Sequence, residues 1–422
     1  MKLDRVENLL RRLDNNKPRV CDRDARYRGV QKLKFTNDEI QGDLKYFGVN
    51  VCRLAVNAVA ERMRVQAVEA TVGGQDVTAD VMRLWKVNNL DQRLQAVLCD
   101  ALSLGAAYWV VWVDEYGHAT ISPESARHMV VERHPVTREV TGAVKRWFVK
   151  DHNGVLVDEH VVAYDAHEIV HYTRGGNNTL DVIDTITNPL GVVPVVAMVN
   201  YDRLDDEVGY SVIDDLADLV DALSKILADV LTASESVARP RRWATGVDLE
   251  DREDEFTADG GVVDVSPLDG QAMSPFGEDS TFMAVENEAA KFGQLPGADL
   301  KGYETAVNIL VQQIQATSGL PPHMLGITTA NPSSADAIRA AEASLTARAE
   351  SRIRVLGLAL EQAMRLLVAI DRGVDVANVE VELRWASPAT SSKAQEVDAI
   401  TKLVALNILT VDEAREQMGI TQ

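Results

Sequence analysis

The chain has 422 residues, 46% of them apolar, and a formal net charge of −21. That length can bury a full core divided among several lobes, while the acidity argues against ordinary DNA readers, which present Lys and Arg to phosphates and release counterions. The longest apolar runs, 106–113 and 190–199, fall short of the ~18 residues of a spanning helix, and the charged start MKLDRVENLLRRLD gives no secretion signal.

In chain order, residues 1–105 read as mostly helical, with apolar residues three and four apart in LDRVENLLRRL, FGVNVCRLAVNAVAERMRV and DVMRLWKVNNLDQRLQAVLCDALSLG. From Ala106 to about Asn200 the signal changes to short β-rich runs (AYWVVWV, ATI, MVV, VKRWFV, VLVDEHVVAY, EIVHY, VVPVVAMV) broken by Gly, Asn, Asp and Pro. An antiparallel α+β lobe follows from that order. The next segment sets Ile213, Leu216, Val220, Leu223, Leu227 and Val230 on a seam with a period of about 3.5, which predicts a helix seeking a neighbour. Asp214, Asp218 and Asp221 lie on another face, expected to meet water, and Arg239-Pro240 ends the run.

Residues 241–297 read as a loop-rich excursion with one short strand candidate, GVVDV. A second seamed helix then carries Tyr303, Val307, Leu310 and Ile314, and Gly319 with Pro321-Pro322 stops it. A long helix follows, introduced by Ser333 and Asp336 in a capping-box arrangement, with Gly357 as its expected bend. The strand VEVELRW and two short helices, the second capped by Thr410, complete the chain.

Charge is uneven: residues 202–264 hold 18 acidic and 6 basic side chains, residues 1–64 hold 15 basic and 9 acidic. Solvated faces explain such asymmetry, and so does a surface that lets a polyanion pass without adhering. Catalytic signatures are missing: the sequence has no GxxxxGK[ST], HExxH, GxSxG or GxGxxG. Cys21, Cys52 and Cys99 are odd in number and form no CxxC, so neither a disulfide framework nor a zinc site is implied, and a reducing cytoplasm suits them. His152 and His160 would share a strand face, but no third ligand joins them. The carboxylates from Asp248 to Glu255 lack the spaced residues and glycine of a calcium loop.

The stretch GLPPHMLGITTANPSSADAI, between the second seamed helix and the long one, holds one carboxylate, Asp336, and no Lys or Arg. As a helix-helix connection it is long enough to suggest function. Its composition suits sliding contact better than tight binding.

Taken together, NPLGVVPVV, EVGYSVIDDLADLVDAL, RPRRWATG and SGLPPHMLG followed by ANPSSADAIRAAEASL resemble, in order and spacing, the portal proteins of tailed phages, especially siphophages of Gram-positive hosts. YRG at 27–29, VNVCRLAVNAVAERMRV, NNLD at 88–91 and GAAYWVVWVDEYG extend the likeness over nearly the whole chain. The resemblance implies an α+β, predominantly helical portal fold. Its wing would comprise residues 1–208 and 334–390, its stem helices 209–238 and 300–318, its clip 239–299, its tunnel loop 319–333 and its short crown 391–422.

It further implies a non-enzymatic, cofactor-free and metal-free homo-oligomer, twelve-fold in the virion, that sits at the capsid vertex after assembly in the host cytoplasm. Its implied partners are double-stranded DNA in the channel, the terminase large subunit, the head-completion adaptor, and the major capsid protein and scaffold, with no membrane. The implied loop residues toward DNA are Pro321, Pro322, His323, Met324, Leu325, Ile327, Thr328, Thr329 and Asn331. The alternatives are another structural virion protein, such as a minor head or tail-ring component, and a metal-dependent nuclease or hydrolase built on the carboxylates between 202 and 264.

Overall fold

The computed structural model describes residues 1–34, 47–174, 179–204, 208–238, 242–245, 291–294, 300–326, 334–390, 393–411 and 414–415. They divide into one compact unit of residues 1–225 with 309–422, and a second of residues 226–308.

The first unit opens with α1 (Leu3–Arg28), whose Val6, Leu9, Leu10 and Leu13 recur at helical spacing and are buried. Gly29, at φ 73°, ends it in the left-handed conformation that glycine adopts without Cβ strain. After α2 (Val51–Ala60) the chain forms β1 (Val65–Val72) and β2 (Gln75–Asp76), then α3 (Thr78–Val87) and α4 (Leu90–Leu104). The β1–β2 hairpin departs from the helical reading of 1–105. Its stabilising partner is distant in sequence, because β1 pairs along its length with VEVELRW at the other end of the chain, so a long-range ladder overrides local spacing.

Seven strands follow within the β region: β3 (Ala106–Val113), β4 (Ala119–Ser125), β5 (Met129–Arg133), β6 (Val140–Lys150), β7 (Leu156–Tyr164), β8 (Glu168–Arg174) and β9 (Leu180–Thr187). The next is β10 (Val195–Val199). β5 to β9 form an antiparallel meander, and β10-β3-β4 a separate three-stranded sheet. Strand β9, LDVIDTIT, is absent from the sequence reading. It is an edge strand, exposed along most of its length, and carries no apolar alternation to announce it.

Both faces of the meander are covered at its inner end. On one side α1 packs Val6, Leu9, Leu10 and Leu13 against Val130, Val144, Val161, Ala163 and Tyr172. On the other, Met129, Val131, Ala143 and Tyr164 meet Tyr108, Val110, Val195 and Ala197 of the three-stranded sheet. Each large apolar side chain so buried contributes about 1.5–3 kcal/mol relative to exposure.

α5 (Ala217–Ala238) begins later than its seam suggested. Ile213 and Leu216 are buried but lie in the turns before the helix, where Asp214 N–H donates to Ser211 O at 3.1 Å and Leu216 N–H to Ile213 O at 3.0 Å. In the second unit, residues from 226 complete α5, β11 (Arg242–Thr245) pairs antiparallel with β12 (Lys291–Gln294), and α6 (Lys301–Ser318) begins. GVVDV and the acidic run 248–255 lie outside the described residues.

Back in the first unit, α7 (Ala335–Arg372) is capped by Ser334, whose side chain accepts from Ala337 N, rather than by Ser333, which is outside the described residues. It runs unbroken through Gly357. A Cβ there would meet the Trp385 indole nitrogen at 3.1 Å, so the glycine admits a ring. Leu356, Leu360, Met364 and Leu367 face the core, and α7 packs on β3, β4, β10 and β13 (Val379–Trp385). α8 (Lys393–Ala405) follows, with the second short helix only partly described. The architecture is α+β.

Candidate functional site

The nearly charge-free connection leaves α6 at Gly319, whose φ of 70° reverses the chain. Its place is fixed from α7: Arg348 Nη2 donates to Thr317 O at 2.7 Å, and a Cβ on Gly319 would lie 2.7 Å from Ser344 Oγ and 2.8 Å from Arg348 Nε. Ser318 Oγ accepts from Leu320 N–H at 3.1 Å, and Ile314, Ser318 and Leu320 are buried. A single 3-10 turn, Pro322–Leu325, follows, with Pro at its first position and Gly326 at φ 76° closing it.

Glu342 of α7 secures this turn. Its carboxylate, almost wholly buried, lies 3.5 Å from His323 Nε2 and 3.3 Å from Arg62 Nη2, and accepts from the Thr390 hydroxyl. A buried carboxylate so satisfied ties the turn after α2, the 3-10 turn and the segment after β13 to one point.

Of the residues expected on the loop, Pro321 is buried, Pro322, Met324 and Leu325 are half-buried, and His323 is half-exposed but turned to Glu342. Ile327, Thr328, Thr329 and Asn331 lie outside the described residues. Of the expected helix-packing residues, Ile213, Leu216, Val220, Leu223 and Ile314 are buried, whereas Leu227, Val230, Tyr303, Val307 and Leu310 are only half-buried. Leu231 and Ile309 beside them are exposed.

The family model of phage portal proteins, SPP1 Gp6-like, matches residues 2–419. This chain belongs to that portal family. The portal protein of Mycobacterium phage L5 is 29% identical over 384 residues, covering 87% of this chain and 75% of the relative. That of Mycobacterium phage D29 is 28% identical over 386 residues, with the same 87% and 75% coverage. Among solved structures, the neck of an empty GTA particle computed with C6 symmetry aligns at TM-score 0.48 and 14% identity, covering 91% of this chain and 93% of the other. The neck of a native GTA particle computed with C12 symmetry aligns at TM-score 0.46 and 16% identity, covering 95% and 99%.

In this portal-family chain the expected water-facing row of Asp214, Asp218 and Asp221 needs correction. Asp221 is 2% exposed and takes a bidentate pair from Arg26, at 2.9 and 3.0 Å, plus Lys34 Nζ at 2.8 Å. Burial raises its carboxyl, but the hydrogen bonds from Arg26 and Lys34 outweigh that and hold it below the ordinary value. Asp214 and Asp218 are exposed as expected, although Asp214 also accepts from Arg23. Part of the charge asymmetry between the N-terminal 64 residues and the acidic segment is thus resolved as direct pairing across α1 and α5. Arg23, Arg26, Arg62, Glu342 and Arg348 were not singled out by the sequence reading. The complementary charge of the two regions was the available signal for the first two, and nothing local distinguishes the other three.

His152 and His160 do not meet either. His152 sits in the turn before β7, and His160 instead pairs with His171 of the adjacent strand, Nδ1 to Nε2 at 3.1 Å. Among the described residues no group of three or more His, Cys, Asp or Glu is placed to hold a metal, and no helix is long and apolar enough to cross a membrane.

Proposed function

We propose that copies of this chain close into a ring at the capsid vertex whose channel passes double-stranded DNA during packaging and ejection. The observation that carries the reading is the portal-family match across residues 2–419. In this reading residues 1–208 and 334–390 form the wing, 209–238 and 300–318 the stem, 239–299 the clip, 319–333 the tunnel loop and 391–422 the crown. The half-buried row Leu227, Val230, Tyr303, Val307 and Leu310 supports a stem role, because it offers apolar surface for a neighbouring copy. The clip meets the terminase large subunit and later the head-completion adaptor, while the wing faces the major capsid protein and scaffold. ATP chemistry belongs to the terminase, and the portal performs none.

A wall with this excess of carboxylates repels phosphate, so the duplex slides without being held. The neutral loop then supplies contact without ionic adhesion. Since Pro321 is buried and His323 is held by Glu342, contact falls to Met324, Leu325 and the residues after Gly326. Replacing Met324 with aspartate places a carboxylate against phosphate. Phage carrying Met324→Asp should assemble intact rings yet package or retain less DNA, read as full against empty heads by sedimentation. Normal DNA content in such particles would remove Met324 from the DNA path.

A further inference from the structure

Outside the proposed channel machinery, the outer half of the five-stranded meander carries an aromatic and imidazole cluster that nothing above uses. His160 of β7 and His171 of β8 sit diagonally across the ladder, in which His160 faces Thr173 and Val162 faces His171. Their nitrogens are 3.1 Å apart and both rings are half-buried. Trp147 of β6 lies against both, with ring centroids 5.2 Å from His160 and 5.5 Å from His171. Around them stand the Lys145 ammonium, 5.5 Å from the same indole and bonded to Glu124, and Asp184, which pairs with His171 across β8 and β9.

We propose that His160 and His171 form a two-histidine site for a late first-row divalent cation, Cu²⁺, Ni²⁺ or Zn²⁺. An ion ~2.1 Å from each of two nitrogens 3.1 Å apart subtends an angle of about 95°, within the range that octahedral, square and tetrahedral centres accept. The strands therefore stay where they are and only the imidazoles re-aim. In the empty pair one facing nitrogen donates to the other; on binding, the donating ring shifts its proton to its outer nitrogen, where the accepting ring already carries its own, and both facing nitrogens present lone pairs.

Electrostatics agrees. Burial and the neighbouring His160 lower the His171 pKa from its ordinary 6.5, so that ring stays neutral, the form a metal needs, at neutral pH. Nitrogen ligands select these ions over Mg²⁺ and Ca²⁺. With no third His, Cys, Asp or Glu in place among the described residues, water fills the remaining positions and the site stays open. The occupied site links β7 to β8, beside Phe148, Val149 and Val182, which are exposed among the described residues.

The test uses the untagged full-length chain stripped of metal and titrated with CuCl₂, NiCl₂ and ZnCl₂ by calorimetry, with Trp fluorescence followed in parallel. The wild type should bind one ion per chain, with Cu²⁺ quenching Trp147. His160→Ala and His171→Ala should each weaken binding by more than about tenfold, since loss of outer-shell support alone costs about that much. Trp147→Phe should bind as the wild type while losing most of the quench, which locates the ion without touching a ligand. Cu²⁺ electron paramagnetic resonance should show two coupled nitrogens, and binding should weaken on acidification as protons compete for the imidazole lone pairs. No uptake by the wild type overturns the proposal. So does equal uptake by the alanine variants, which would assign the ion elsewhere, for example to exposed His118 and half-buried Asp114.

Discussion

Replacing Arg26 with alanine will lower the stability of the chain by about 3–5 kcal/mol, the cost of stranding one member of a buried ion pair. Arg26 is 3% exposed and makes four hydrogen bonds to fixed partners: Asp22 at 2.9 Å, Ala217 O at 3.1 Å and both oxygens of Asp221. Without it, the buried Asp221 carboxylate keeps Lys34, a half-exposed and more mobile partner. The damage comes from the uncompensated charge and not from a missing surface contact. Arg26→Met combined with Asp221→Leu should therefore be less destabilised than either single change, as measured by urea unfolding.

The pH dependence gives an independent check. Asp221 has its folded pKa below the unfolded 3.8, so its contribution is fully present above 3.8 and is lost as the pH falls through the folded value. In Arg26→Ala the opposing burial prevails and the carboxyl protonates more readily. The deficit of the variant should accordingly be largest near neutrality and shrink on acidification. A deficit that stays constant down to acid pH would mean that Arg26 acts through packing alone.

The second large effect is expected at Gly209. A Cβ there would stand 1.9 Å from the carbonyl oxygen of Gly105 and 3.1 Å from Val199 Cγ1, and φ is 75°. Gly105 O cannot retreat freely, because Asn200 N–H donates to it at 2.9 Å. Around the same crossing, Arg23 Nη1 donates to Leu104 O at 2.5 Å, and Tyr210 N–H to Asn200 O at 2.8 Å. Gly209→Ala should cost more than about 4 kcal/mol, beyond the range of ordinary substitutions. Gly117→Ala supplies the comparison: φ is 84° there, but nothing lies within 4 Å of the added carbon. It should cost only the backbone preference, about 1–2 kcal/mol. Equal unfolding midpoints for the two variants would show that the close crossing of Gly105 and Gly209 does not constrain the fold.

Both predictions concern features that a linear reading could not supply. Local patterns revealed the strands at AYWVVWV, VKRWFV and EIVHY, the stop at Gly319 and the long helix of α7, because period and turn chemistry are written within a few residues. What escaped depends on distant partners. β1 is a strand because β13 pairs with it, and Asp221 is buried because Arg26 of α1 reaches it. The seam on α5 announced an apolar face, but the burial of its aspartate was hidden by the same periodicity that places Asp214, Asp218 and Asp221 together. At the candidate site the neutral connection stood out by composition. Glu342 and Arg348, which fix where it starts, look like ordinary helix-surface charges until the end of α6 and the turn after it meet α7.

In the proposed assembly identical copies close around a hole. Electron microscopy of the purified full-length chain, with two-dimensional averaging of single particles, tests this most directly. It should show rotationally symmetric rings with a central opening wide enough for a B-form duplex, and the Gly319–Gly326 segment should face that opening when maps are fitted. Particles that remain single subunits under assembly conditions, or rings that carry this segment on their outer rim, would contradict it.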